Sequence, residues 1–201
     1  MNRLTSLDEV RERVWRRLSK AADKPGHPLR LLTFGTVAAD TPQLRTVVLR
    51  EAVPAARRLA FHSDRRSQKI EHIRTNNRAS WLGWDPETGE QVRLRGAATV
   101  HRDDEGADAM WREEAPRSLD VYRRTAVPGT PLDAPDDALP AAVKDAPITR
   151  ADVAEGRTHF AVVRTIIDEI GWLHLHADGH YRARFTYDAD AAAFEGTWIV
   201  P

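Results

Sequence analysis

The sequence predicts a mainly β protein with flanking helices, organised as a closed or split barrel. Three observations carry that expectation. Six to eight short runs rich in β-branched and aromatic residues follow one another along the chain. Turn signals separate them, most clearly Asp40-Thr41-Pro42 and Asp85-Pro86-Glu87-Thr88-Gly89. Helical periodicity is confined to three stretches, so helices flank the strands instead of alternating with them in a βαβ pattern.

The elements follow in order. Ser6 and Glu9 have capping-box spacing, and Leu7, Val10, Val14 and Leu18 fall on one stripe, which predicts a helix over 6–23. Lys24-Pro25-Gly26-His27-Pro28 ends it. The runs 29–40 and 43–51 flank a turn and read as a hairpin, and 58–63 is a third short strand. Ile70 and Ile73 mark the buried side of a helix over 67–76. The runs 79–84 and 91–101 form another strand pair, and 103–124 is helix-forming. A stretch with five of the twelve prolines follows (residues 126–147), expected to be an ordered loop within the domain. Further strands are expected at 158–167, 171–176, 181–186 and 197–200.

Composition bounds the function. A length of 201 residues with no internal repeat predicts a single domain over 1–201, its barrel spanning about 29–201. Thirty basic residues balance thirty acidic ones, which removes the bulk electrostatic case for nucleic acid or an anionic membrane. With no cysteine, disulfides and thiolate metal sites are impossible. The N-terminal segment lacks an apolar signal core and no run reaches membrane-spanning length, so a soluble, cytoplasmic protein is expected.

Three groups of residues offer chemistry. In RTVVLR (45–50), Arg45 shares a strand face with Val47 and Leu49, while Thr46, Val48 and Arg50 share the other. An arginine among aliphatics must emerge at a rim, pair with a carboxylate or meet an anionic ligand. After Phe61-His62-Ser63 come Asp64-Arg65-Arg66 and then Ser67-Gln68-Lys69, opening a helix whose free N–H groups suit a phosphate. Ser67 is placed to cap that helix or to donate to the phosphate. In the third group, Gln91, Arg93 and Arg95 line one strand face. That row faces solvent or presents hydrogen-bond groups to a heteroaromatic ring, with Gly96 permitting close approach. Trp172, His174 and His176 alternate on one face, but no third metal ligand is evident, and no metal is expected.

The order of RTVVLR, FHSDRRSQK, EQVRLRG, GWLHLH…RARF and a terminal W-x-x-P resembles the pyridoxamine-phosphate-oxidase-like flavoproteins, over roughly residues 29–201. The resemblance implies an FMN-binding split barrel, a homodimer with two flavins at the subunit interface, and oxidation of a small-molecule substrate. It implies that Arg45 and Lys69 hold the flavin phosphate with Ser67 nearby. Val47, Val48, Arg50, His62 and Ser63 would line the flavin, and Gln91 would bond its pyrimidine edge. Trp172 and Arg184 would close the site from the second subunit.

The departures bear on the substrate. Gln68 stands where the vitamin B6 oxidase has arginine, and Arg50 where it has a lysine that touches flavin and substrate. In the substrate-phosphate region the family's key arginine corresponds to Ala115, leaving Arg117 or Ser118 as replacements. Near the C-terminus, His180-Tyr181-Arg182-Ala183-Arg184 keeps only the final arginine of the enzyme's Arg-x-His-x-Arg, with Arg182 a further substrate candidate. The chain is thus more similar to the divergent, oxidase-related branch. An FMN-dependent oxidoreductase is the leading expectation, and a non-catalytic flavin- or haem-binding protein is the alternative, with His62, His101 or His159 as possible iron ligands.

Overall fold

A computed structural model describes residues 4–140 and 147–201. Nine strands among them form one antiparallel sheet, in the order β2-β1-β5-β6-β7-β4-β3, with β8 paired to β7 and β9 to β8. They are β1 (Leu31–Ala38), β2 (Thr41–Val48), β3 (Glu51–Val53), β4 (Arg58–Asp64), β5 (Arg78–Asp85), β6 (Glu90–His101), β7 (Phe160–His174), β8 (Tyr181–Asp188) and β9 (Ala193–Ile199).

The sheet curls until its ends meet. Leu49 donates its N–H to Arg30 O at 2.8 Å and the next residue, Arg50, donates to Ala60 O at 2.9 Å. Two consecutive residues thereby pass the chain from the β1 side to β4. The barrel is filled by an aromatic trio, Phe34 on β1, Phe61 on β4 and Trp81 on β5, whose ring centroids lie 4.8–5.5 Å apart. Such tilted and edge-on contacts are preferred between aromatic rings.

Helix α1 (Leu7–Asp23) follows the expected stripe. Ser6 accepts from Glu9 N–H, and Val10, Val14, Trp15, Leu18 and Ala21 are buried against the barrel. Helix α2 (Gln68–Thr75) buries Ile70 and Ile73. The region expected to be one helix over 103–124 is broken. Helix α3 (Glu105–Glu113) ends at Glu114, and Pro116 opens the short α4 (Pro116–Leu119), which runs into a 3-10 turn. Proline disfavours helical backbone at the residue before it, and Ala115 is indeed extended. These helices cover a second, smaller core of Ala60, Ala107, Trp111, Leu119, Tyr122, Val153, Phe160 and Val162.

Two expected strands, 158–167 and 171–176, are one strand of fifteen residues, β7. The register against β6 shifts between Arg95 and Gly96, with Arg95 facing Glu169 and Gly96 facing Ile167. One extra residue, Asp168, is absorbed there as a bulge, so the strand continues where its hydrophobic pattern changes phase. Gly96 serves that bulge: a Cβ there would collide with the Ile166 carbonyl. Its close approach is to backbone, not to a ligand. The last strand begins at Ala193, earlier than expected. Residues 141–146 of the proline-rich loop lie outside the described residues.

Candidate functional site

Strand β2 carries Arg45 opposite Phe34 of β1, on the inner face but near the barrel mouth. Its guanidinium donates to Thr36 Oγ1 at 2.8 Å and to Phe34 O at 3.3 Å. Thr36 in turn meets His72 Nδ1 of α2 at 3.1 Å. Lys69, in the first turn of α2, donates to Ser67 Oγ at 2.8 Å and Ser63 Oγ at 3.2 Å. Ser67 stands at the N-cap position without making a side-chain cap bond, its hydroxyl donating to Asp64 O at 2.7 Å.

Arg45 and Lys69 are both partly buried, and among the described residues neither forms an ion pair. Burial, and then the nearby Arg45, push the Lys69 ammonium below its usual pKa, opposed by Asp64. Burial alone lowers Arg45. Asp64 does not neutralise them, because Arg66 holds it in a paired contact at 2.7 Å. Two desolvated cations beside serine hydroxyls and a helix N-terminus have the chemistry of a phosphate cradle.

Beside this cradle opens a cavity of about 350 Å³, lined by Thr46, Val47, Val48, Arg50, Phe61, His62, Lys69, Ser118, Val121 and Tyr122. Arg45, Val47, Val48, Arg50, His62, Ser63, Ser67 and Lys69 are therefore brought to one region. Burial and Arg50 lower the His62 pKa to about 4, so the ring is neutral at pH 7, and its Nε2 is buried without a partner. Burial raises the Tyr122 pKa, keeping the phenol protonated.

The remaining expected residues lie elsewhere. Gln91, Arg182 and Arg184 border a separate cavity of about 240 Å³ on the outer face of β6, β7 and β8, with Arg93, Arg95 and Leu173. Trp172 also borders this cavity, although its side chain lies on the opposite face of the sheet from Arg184. Along β7, burial alternates so that Trp172 points inward at 1 % exposure, its ring 6.4 Å from Trp198 and 5.8 Å from His174. Arg117 is exposed and not among the lining residues, because Ser118 of α4 and Val121 of the 3-10 turn after it face the cavity instead. Of the histidines considered for iron, His101 is engaged by Asp104 and His159 by Tyr122 O.

Ser118, one of the two replacements considered for the missing arginine, does line this cavity, while Thr36 and Tyr122 join the site unannounced. A hydroxyl interrupting the apolar alternation of β1 could have pointed to Thr36. Glu114, from the acidic pair Glu113-Glu114 beside the substrate-phosphate stretch, also joins the site, but nothing local could have named its partners Arg50 and His62, more than fifty residues away.

Residues 12–102 match the family model of the pyridoxamine 5'-phosphate oxidase FMN-binding domain. Among solved structures, the chain is similar to a pyridoxamine 5'-phosphate oxidase-related, FMN-binding protein from Nostoc punctiforme, with 22 % identity and a TM-score of 0.73, covering 98 % of this chain and 99 % of that one. It is also similar to PhzG from Burkholderia lata, solved with tetrahydrophenazine-1-carboxylic acid, at 18 % identity and a TM-score of 0.69, covering 96 % and 92 %. No curated protein matches the sequence. The architecture is that of the FMN-binding split barrels. The stretch 12–102 thus resembles the pyridoxamine 5'-phosphate oxidase FMN-binding domain, and the whole chain shares the split-barrel fold of the FMN-binding neighbours.

Proposed function

We propose that this chain is an FMN-dependent oxidoreductase of a small organic molecule, acting in the cytoplasm as a homodimer. One observation carries the reading: Arg45 and Lys69 are two partly buried cations without carboxylate partners among the described residues, set among hydroxyls at the mouth of a family-typical barrel. A phosphate dianion there would relieve their mutual repulsion and their desolvation together.

In this reading Arg45 and Lys69 bind the FMN phosphate, with the Ser63 and Ser67 hydroxyls beside it. Val47, Val48 and Phe61 supply apolar surface, and His62, held neutral, adds no charge. FMN, when bound, supplies the redox chemistry by accepting a hydride. The protein's part is to orient the substrate and exclude water.

The homodimer is supported by the outer face. Leu31, Leu44, Leu82 and Trp84 are 60, 70, 39 and 44 % exposed there, an apolar surface unusual for a monomer. It is continuous through the β5–β6–β7 pairing with the cavity of Gln91, Arg182 and Arg184. A second copy laid on this face would bring those groups toward the cradle of the first.

The test compares FMN with riboflavin, which lacks the phosphate. A charge-assisted contact contributes roughly 1.5–3 kcal/mol, so Arg45→Ala is expected to weaken FMN about tenfold to a hundredfold and leave riboflavin nearly unchanged. Equal weakening of both, or wild-type protein indifferent to the phosphate, would overturn the assignment.

A further inference from the structure

Arg50 and His62 belong to two cavities at once. One is the 350 Å³ cavity beside the phosphate cradle, and the other, of about 230 Å³, is lined by Ala22, Arg30, Met110, Glu113 and Glu114 as well. At the boundary stands Glu114. Its Oε2 lies 2.9 Å from Arg50 Nη1 and 3.4 Å from His62 Nδ1, and its side chain is 13 % exposed.

A carboxylate is poorly placed there on helical grounds, since Glu114 is the C-cap of α3, the negative end of the helix dipole. It is nevertheless held in place. Arg150, from beyond the proline-rich loop, donates to the backbone carbonyls of Trp111 at 2.9 Å, Arg112 at 3.1 Å and Glu114 at 2.6 Å. That guanidinium occupies the free carbonyls of the helix end and offsets their partial negative charge. Glu114 is thus fixed against Arg50 by a contact that involves neither side chain.

Glu113 lines the second cavity and adds a further negative charge there. Lys69 is turned to Ser63 and Ser67 and Arg66 is paired with Asp64, while Arg30 donates to the Ala21 and Ala22 carbonyls and Arg117 lies outside. Ser118, Val121 and the protonated Tyr122 carry no charge. Among the described residues, Arg50 is the one cation that lines both cavities, and Glu114 already pairs with it.

We infer that Glu114 is a specificity-determining residue that neutralises Arg50 from within the chain, so that the substrate is a neutral or cationic organic molecule without a phosphate or carboxylate at the Arg50 end. The inference rests on the FMN reading for the site's location. An anionic substrate would have to displace a held carboxylate, leaving it close to the substrate's own charge.

The experiment uses the full-length, FMN-loaded protein, titrated by calorimetry with pyridoxamine 5'-phosphate and with unphosphorylated pyridoxamine. Wild type is expected to bind the phosphorylated probe no more tightly than the other. Glu114→Gln, which keeps shape and removes charge, is expected to gain at least tenfold for the phosphorylated probe with little change for pyridoxamine. Adding Arg50→Met to that variant should abolish the gain. Wild type preferring the phosphorylated probe tenfold, or Glu114→Gln changing both probes equally, would overturn the inference. Should Glu114→Gln fail to fold, the wild-type comparison still decides. Calorimetry also reads binding to flavin-free chain, so a protein that takes up no flavin would defeat the FMN reading while the comparison of probes still judges Glu114.

Discussion

His62 shows how strongly a single residue can be altered by its surroundings. Its ring lies against Phe160, with centroids 4.9 Å apart, and its Nδ1 faces Glu114 while Arg50 lies close by. Burial first, then Arg50, lower its pKa to about 4 from 6.5, against the pull of Glu114. The folded pKa is below the unfolded one, so between the two values the unfolded chain binds more protons. Stability from a neutral His62 is therefore complete above about pH 6.5 and is lost as pH falls toward 4. At pH 5 the loss amounts to about 2 kcal/mol, at 1.36 kcal/mol per pH unit. His62→Gln is expected to unfold with a smaller difference in stability between pH 7 and pH 5 than wild type, measured in urea. An equal difference in the two proteins would refute it. At this scale, the places of Arg45 on the inner face of β2 and of Lys69 in the first turn of α2 were legible from strand alternation and from the basic helix start. For Trp172, GWLHLH states the alternation but not which face is the core, and the indole proves to point inward.

The elements were mostly legible, and their docking was not. Helix α1 is evident from its stripe, but what fixes it to the barrel is a buried ionic network joining residues about seventy positions apart. Arg17 pairs with both Asp85 and Glu90, and Arg13 meets Glu90 at 2.8 Å. Asp85 and Glu90, at the two ends of the β5–β6 turn, are 2 and 3 % exposed. Removing one partner of such a network leaves a buried charge uncompensated, which typically costs 3–5 kcal/mol. Arg17→Ala is expected to lose about 3 kcal/mol in chemical denaturation, whereas Arg16→Ala, on the same helix, should lose less than about 0.5 kcal/mol. Similar losses in both would show that the network does not anchor the helix. The merging of two expected strands into β7 had the same cause as the missed docking, since a bulge is decided by the partner strand. The break at Ala115 could have been read from Pro116.

For the whole molecule, split-barrel architecture was legible from the order of its motifs, while the placement of Gln91 with Arg182 and Arg184, away from the cradle of the same copy, was not. A single sequence does not say which of its faces meet in one copy. The homodimer makes this testable. Light scattering at micromolar concentration is expected to give twice the chain mass of 22.6 kDa. Leu44→Glu combined with Trp84→Glu, both on exposed positions of the outer face, is expected to yield a folded monomer that binds FMN more weakly. Wild type at monomer mass with flavin bound would overturn the dimer.

Strand β7 has a consequence for how the protein comes into being. It pairs with β4, β6 and β8, so three parts of the sheet depend on a segment in the last quarter of the chain. On the ribosome, β4 and β6 emerge long before it, each presenting an unpaired edge to whatever else is nearby. Contacts such as Arg58 with Ile166 span more than a hundred residues, and closing loops of that length precedes any reward from pairing. The barrel is therefore completed late and all at once, and a chain stalled before β7 is the species on which chaperones would act.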